Sequence, residues 1–281
     1  MARPILALVY DFDKTLCIDD MQNFSFIPAL DMTPREFWDG TTVLSDKLGM
    51  EKILAYMYMM IKECEKKNIP ITRDWLNSLG KDIKFFEGVT TWFKRINAYG
   101  EEKGIQVEHY IISSGTSEII EGTSIAKEFK EIFACEFLFN EDGKAFWPKN
   151  AINYTSKTQY LYRISKGHLD PNDDSVNKRV ETKRVPFRNM VYLGDGLTDV
   201  PCMAIVHEKG GKSIAVCQKG KEEKVKQLFL DERINYYCTA DYRSGSRLEK
   251  FIKSLIDSTA ATEILLKKED DLLEALKAEN E

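Results

Sequence analysis

Two aspartates two residues apart, Asp11 and Asp13, follow an unbroken apolar run, Ile5-Leu6-Ala7-Leu8-Val9-Tyr10. Such a run reads as a strand buried on both faces, which belongs in a parallel sheet flanked by helices. In extended chain, side chains two apart point the same way, and open α/β sheets place ligands at the carboxyl ends of their strands. The pair suits a nucleophile and its acid/base partner, although D-x-D-x-T equally suits a turn that ends a strand. Three later stretches bear on that choice. Ser113-Ser114-Gly115 follows a second apolar strand at 107–112 and leads into a predicted helix, where hydroxyl and backbone N–H donors either hold an anion or cap the helix. Lys157 opens another predicted helix, with Tyr160, Leu161 and Ile164 as its apolar face. A lysine there opposes the helix dipole unless it faces fixed negative charge. A short buried strand at 190–193 then runs into Gly194-Asp195-Gly196-Leu197-Thr198-Asp199. This starts like a dinucleotide fingerprint, but Asp199 replaces the third glycine and Asp195 stands between the first two. Carboxylates in those places repel a pyrophosphate and attract a cation, with the glycines expected to allow the tight turn.

Four carboxylates at one sheet edge repel one another, by about 4 kcal/mol for two charges 4 Å apart at an effective dielectric of 20. A positive charge must sit among them. An all-oxygen donor set without histidine or thiolate points to a hard cation, and Mg²⁺ fits best. Asp11, the main-chain carbonyl of Asp13 and Asp195 are the expected ligands, with Asp199 as a ligand or a support. Ser113, with Ser114 and Gly115 beside it, and Lys157 complete a phosphate site, so the reaction class is phosphoryl transfer. In this reading Asp11 attacks phosphorus, Asp13 exchanges the proton, and Lys157 both restrains Asp11 and binds the phosphoryl group.

The elements that must position these residues form an α/β, Rossmann-like three-layer core, interrupted after the first turn. Residues 18–84 lack a strand pattern and read as a helical insertion. Thr33-Pro34-Arg35-Glu36 is a capping-box start, and Ile53, Met57, Met60 and Cys64 mark one face of a second helix. A third helix starts near Thr72. The aromatic and methionine residues of the insertion, among them Phe24, Phe26, Phe37, Trp38, Tyr56, Tyr58 and Met59, suit its own core ahead of a substrate pocket. Further strands are expected at 133–139, 213–216 and 236–239, and Asn140-Glu141-Asp142-Gly143 as a turn. Ser258 to Glu281 reads as a charged helical tail that packs on the protein's own surface ahead of dimerisation. The stretch 178–188, with Lys178, Arg179, Lys183, Arg184 and Arg188 against Glu181, reads as a solvated loop ahead of an anion-binding one.

At 281 residues, with 43% hydrophobic and 30% charged residues, the chain has the composition of a soluble globular protein. Its net charge of −5 argues against binding nucleic acid through backbone phosphates. The six cysteines contain no C-x-x-C pair and read as reduced thiols in a cytoplasm. The apolar run ended by Asp11 is too short for a signal peptide, and nothing approaches membrane-spanning length. His109, His168 and His207 lack metal-ligand spacing and read as structural.

D-F-D-K-T-L at 11–16, I-I-S-S-G at 111–115, Lys157 and G-D-G-L-T-D at 194–199 together resemble the four ordered motifs of the haloacid dehalogenase-like superfamily. The insertion at 18–84 is similar to the helical cap of its phosphoserine phosphatase-like branch. The resemblance implies a core of residues 1–17 and 85–281, a cap of 18–84, and a Mg²⁺-dependent phosphatase acting on a small phosphorylated metabolite. Asp13 argues against a true dehalogenase. Lys14 stands where family members commonly have a small residue. A phosphotransferase or phosphomutase of the same fold is the alternative, followed by a non-catalytic phosphate-ligand binding protein; a nucleotide-dependent oxidoreductase would need the missing glycine at 199. Asp19, Asp20 and Gln22 are candidate substrate contacts, and the oligomeric state is left open.

Overall fold

The computed structural model describes residues 3–180 and 182–279. Seven strands form one sheet in the order β4-β3-β2-β1-β5-β6-β7, all parallel except β4 against β3. β1 (Ile5–Tyr10) is central, between β2 (Gln106–Thr116) and β5 (Met190–Gly194). Its run Leu6–Tyr10 is buried throughout, as a strand covered on both faces must be.

From β1 the chain passes through α1 (Phe26–Ala29), α2 (Pro34–Leu48), α3 (Lys52–Lys67), α4 (Arg73–Leu79) and α5 (Val89–Glu102) to β2, then α6 (Ser117–Glu121), β3 (Glu131–Phe139) and β4 (Ala145–Asn150). α7 (Lys157–Lys166) leads to β5, followed by α8 (Val200–Glu208), β6 (Lys212–Cys217), α9 (Glu223–Leu230), β7 (Tyr236–Thr239) and α10 (Arg247–Ala278). The β1→β2 and β5→β6 crossovers run outward in opposite directions. Right-handed connections therefore place α5 and α8 on opposite faces. α10 packs on α5, and α7 on α8, giving three layers. The crevice between the strands where the direction reverses is the usual ligand position of such sheets, and Asp11 and Asp195 flank it.

Between Cys17 and Phe85, which form a β-bridge, the chain makes its helical excursion. α2 starts with the expected capping box, in which Thr33 accepts from the Glu36 amide at 3.2 Å and the Glu36 carboxylate accepts from the Thr33 amide at 2.8 Å. α3 buries Met57, Met60 and Cys64, and Thr72 caps α4.

Two expectations are corrected, and one strand was not expected. β2 runs past residue 112 through Ser113-Ser114-Gly115 to Thr116, so these residues end the strand, and the expected helix, α6, starts directly after them at Ser117. β4 follows the expected turn without a strand having been expected there. Its exposure and Pro148 hide it, and an edge strand tolerates both. The tail from Ser258 is the outer part of α10, which begins at Arg247 and buries Leu248, Ile252 and Ile256 against the core, but Leu265 and Leu272 of the tail are exposed, so the expected packing of the tail on the protein's own surface is corrected there. Asn280 and Glu281 lie outside the described residues, as does Glu181.

His109 is buried, with Tyr10 Oη at 3.1 Å from Nδ1 and Asn97 Oδ1 at 2.8 Å from Nε2. Burial pushes its pKa down to about 3, so it is a neutral core residue.

Candidate active site

The first loop is shaped by its own backbone. The Asp11 amide extends the ladder by donating to the Leu193 carbonyl at 2.8 Å, which fixes Asp11 at the edge of the crevice. The amides of Thr15, Leu16 and Cys17 then converge on the Phe12 carbonyl, and Lys14 adopts a left-handed φ of 58°. A lysine in that region is strained by on the order of 1 kcal/mol. Its ion pair with Asp20 at 2.6 Å holds it. The turn directs both Asp11 and Asp13 into one cavity of about 620 Å³, also lined by Ser113, Ser114, Lys157 and Asp195.

Lys157 lies at the first position of α7, yet it is only 1% exposed. Its ammonium donates to Asp11 Oδ1 at 2.7 Å and to Asp199 Oδ1 at 2.8 Å. The two carboxylates supply the negative charge that makes a lysine tolerable at a helix start. Burial alone would lower its pKa, but Asp11 and then Asp199 outweigh burial and keep it protonated. Asp199 is fully buried and committed, since Oδ1 also accepts from Tyr192 Oη at 2.7 Å and Oδ2 from the Asp195 amide at 3.2 Å. Gly194 is needed for this close approach. A Cβ there would lie 2.3 Å from Asp199 Oδ2, whereas Gly196 has an extended φ of −176° that any residue adopts. The expected role of these glycines in a tight turn is corrected accordingly.

Asp13 is held from the start of the helical excursion: its Oδ1 accepts from the Met21 amide at 2.8 Å. Met21 also fills the space beside Gly115, where a Cβ would lie 2.0 Å from the methionine Cε. Gly115 therefore makes room for Met21 and does not line the cavity, while its amide donates to Ser113 Oγ at 2.9 Å. Ser113 is buried at the cavity wall, and the Ser114 carbonyl accepts from Tyr56 Oη of α3 at 2.7 Å. Asp20 and Gln22 line the cavity and Asp19 does not. Of the aromatic residues in the insertion, Phe26 and Phe37 are core, whereas Trp38 and Tyr56 reach the cavity. The basic stretch is elsewhere: Arg184 pairs with Glu108 and Arg188 with Glu263.

The site carries more negative charge than its own cations balance. Burial, then repulsion from Asp199, pushes Asp11 upward in spite of Lys157. Burial, then Asp20 and Asp11, pushes Asp13 well up, and burial with Asp199 pushes Asp195 to about 6. Asp11, Asp195 and Asp199 offer carboxylate oxygens all within 4.8 Å of one another. An all-carboxylate donor set short of positive charge fits a hard divalent cation. With Asp199 already accepting three hydrogen bonds, Asp11 and Asp195 are the better placed to bind it directly.

The sequence reading missed Tyr192 and Met21, which position Asp199 and Asp13, and the cavity residues Tyr154, Lys224 and Leu228. Tyr192 looks like any core aromatic within its strand. The others come from segments that only the fold brings to the crevice.

The acidic cluster and Lys157 thus gather at the switch point of a central parallel sheet. The chain has the fold of the haloacid dehalogenase-like hydrolases, of the phosphoserine phosphatase-like kind. It is similar to a haloacid dehalogenase-family hydrolase from Salmonella enterica serovar Typhi, with a TM-score of 0.55 and 16% identity over 84% of this chain and 68% of that one. It is also similar to a phosphoserine phosphatase solved as a phospho-aspartyl intermediate analogue, with a TM-score of 0.53 and 15% identity over 90% and 99% of the two chains. An uncharacterized protein of Borreliella burgdorferi is 28% identical over 283 residues, 90% of this chain and 96% of its own. No protein-family model matches the chain.

Proposed function

We propose that the protein is a Mg²⁺-dependent phosphatase that hydrolyses a small phosphorylated metabolite through an aspartyl-phosphate on Asp11. The observation that carries this is the Lys157 ammonium clamped between Asp11 and Asp199 at 2.7 and 2.8 Å, which holds a buried carboxylate in a fixed attitude facing the cavity. Asp11 Oδ1 is taken by Lys157, leaving Oδ2 to attack.

Mg²⁺, when bound by Asp11, Asp195 and the Asp13 carbonyl with Asp199 in support, supplies charge that keeps Asp11 ionised and screens the phosphoryl oxygens. Asp11 Oδ2 forms a bond to phosphorus as the ester P–O bond breaks. Asp13, whose carboxyl burial, Asp20 and Asp11 push towards its protonated form, gives its proton to the leaving alcohol oxygen. It then takes a proton from the water that attacks phosphorus, the Asp11–phosphate bond breaks, and inorganic phosphate leaves. Ser113 and Lys157 hold the phosphoryl oxygens, with Ser114 and Gly115 shaping that wall.

Residues 18–84 act in this reading as a cap over a core formed by 1–17 and 85–281. The cap supplies Asp20 and Gln22, together with Met21, whose amide orients Asp13. In this reading the partner is the small phosphorylated substrate, and neither nucleic acid nor a membrane is one.

The test is phosphate release from a panel of phosphomonoesters with Mg²⁺, repeated with EDTA and with acceptor sugars present. Mg²⁺-dependent release supports the reading. Transfer to the acceptor without release identifies a phosphotransferase instead, and an inert protein identifies a binding function.

A further inference from the structure

Part of the cavity lining is aromatic and held by hydrogen bonds. Trp38 donates its indole N–H to Asn23 Oδ1 at 2.9 Å, and its ring lies 6.0 Å from that of Tyr56 at 62°. Tyr56 is pinned in turn through its hydroxyl to the Ser114 carbonyl. Two π-surfaces held in this way lose little freedom when a ligand packs on them. Ile53, Tyr154 and Leu228 continue the apolar lining, and a cavity of about 620 Å³ lies in the range that holds ring-bearing ligands.

The charges of the cavity select against a second anion. Neither arginine nor histidine lines it among the described residues. Of its lysines, Lys14 is paired with Asp20 and Lys157 with Asp11 and Asp199, which leaves Lys224 on the exposed outer part of α9. A carboxylate on the alcohol part of the substrate would find no buried cationic partner and would lie near Asp11, Asp13 and Asp195. Gln22 and Thr198 offer neutral hydrogen bonds suited to ring heteroatoms.

We infer that the alcohol released by this enzyme carries a flat aromatic ring and no carboxylate of its own, with Trp38 as the residue that selects it. The inference takes its reaction from the phosphatase reading and its selectivity from the cavity wall alone.

Binding and turnover are therefore measured separately. In the Asp11→Asn protein with Mg²⁺, calorimetry compares two ring-bearing phosphomonoesters, uridine 5′-monophosphate and pyridoxal 5′-phosphate, with phosphoserine and 3-phosphoglycerate. The ring-bearing pair is expected to bind at least about tenfold more tightly, and Trp38→Ala to reduce that ratio about tenfold, as loss of one stacking partner does. Tyr154→Ala, at a site that is 51% exposed, is a second variant with little bearing on folding and should reduce the ratio in the same direction. Equal or tighter binding of the carboxylated chains, or a ratio untouched by both variants, overturns the inference. Ring-selective binding without phosphate release by the wild type leaves the ring selectivity of the cavity standing and overturns the phosphatase reading instead.

Discussion

Strand β2 carries a buried polar cluster at each end, and the two are balanced in opposite ways. Near its amino end Glu108 is enclosed by donors: Arg184 at 2.5 and 2.8 Å, Lys130 at 2.7 Å and Tyr110 Oη at 2.6 Å. Burial would raise this carboxyl, but the hydrogen bonds from Arg184, Lys130 and Tyr110 outweigh it and hold the pKa at about 2. At the carboxyl end, Ser113 faces a cavity where Asp11, Asp13 and Asp195 gather with Asp199 behind them, and Lys157 is the one fully buried ammonium among the described residues. There the carboxyls of Asp11, Asp13 and Asp195 are all displaced upward. The Glu108 cluster is complete once the chain has folded. The other gathers more carboxylates than its own cations balance, as a site able to hold a cation does.

The contrast breaks most sharply at Asp11. In the proposed mechanism Asp11→Asn loses the nucleophilic carboxylate and is expected to lower turnover by on the order of 10³ or more, with an unchanged circular dichroism spectrum. Activity near that of the wild type would end the contrast.

Lys157→Met leaves Asp11 and Asp199 buried together without their shared cation. Stability is expected to fall by about 3–5 kcal/mol in urea unfolding, together with activity. A neutral effect on stability would mean that Lys157 is not what holds the pair.

At Asp195 the deficit itself is measured. Mg²⁺ at about 100 times its dissociation constant should raise the melting temperature of the wild type by about 5 °C and that of Asp195→Asn by much less. Equal shifts would place the cation elsewhere.

The balanced end should give the smallest effect. Glu108→Gln is expected to lose about 1–2 kcal/mol of stability at neutral pH and no activity. Because the folded pKa of Glu108 lies below its ordinary value of 4.5, its contribution is complete above pH 4.5 and disappears as the pH falls towards 2. The stability gap between wild type and variant should close over that window in pH-dependent unfolding. A gap that persists at pH 2 would contradict the assigned charge state.

What could be read from the sequence followed the strength of the local signal. The six-residue apolar run of β1 and the capping box at Thr33 each specify their element almost alone, and both form as expected. Asp11, Asp13 and Asp195 could be placed together because strand ends of a parallel sheet meet at one edge, and Lys157 because a lysine at a helix start needs fixed negative charge to face. The end of β2 lies four residues later than expected, because hydroxyl residues beside glycine look alike before a helix start and at a strand end, while the helix they lead into forms at Ser117. Gly194 shows the limit of the method: its sequence neighbours suggest a turn, but the reason for glycine is the Asp199 carboxylate folding back on it. β4 and the inner half of α10 were obscured because Pro148 suppresses a strand pattern and the exposed acidic end of α10 masks its buried start.

The most direct test of the account is to quench the wild-type protein in acid during turnover of a phosphomonoester with Mg²⁺ and map the phosphoryl group by peptide mass spectrometry. The account predicts phosphate on Asp11, absent without Mg²⁺ and absent in Asp11→Asn. Hydrolysis that proceeds at full rate in Asp11→Asn, or a phosphoryl group carried on another residue, would contradict it.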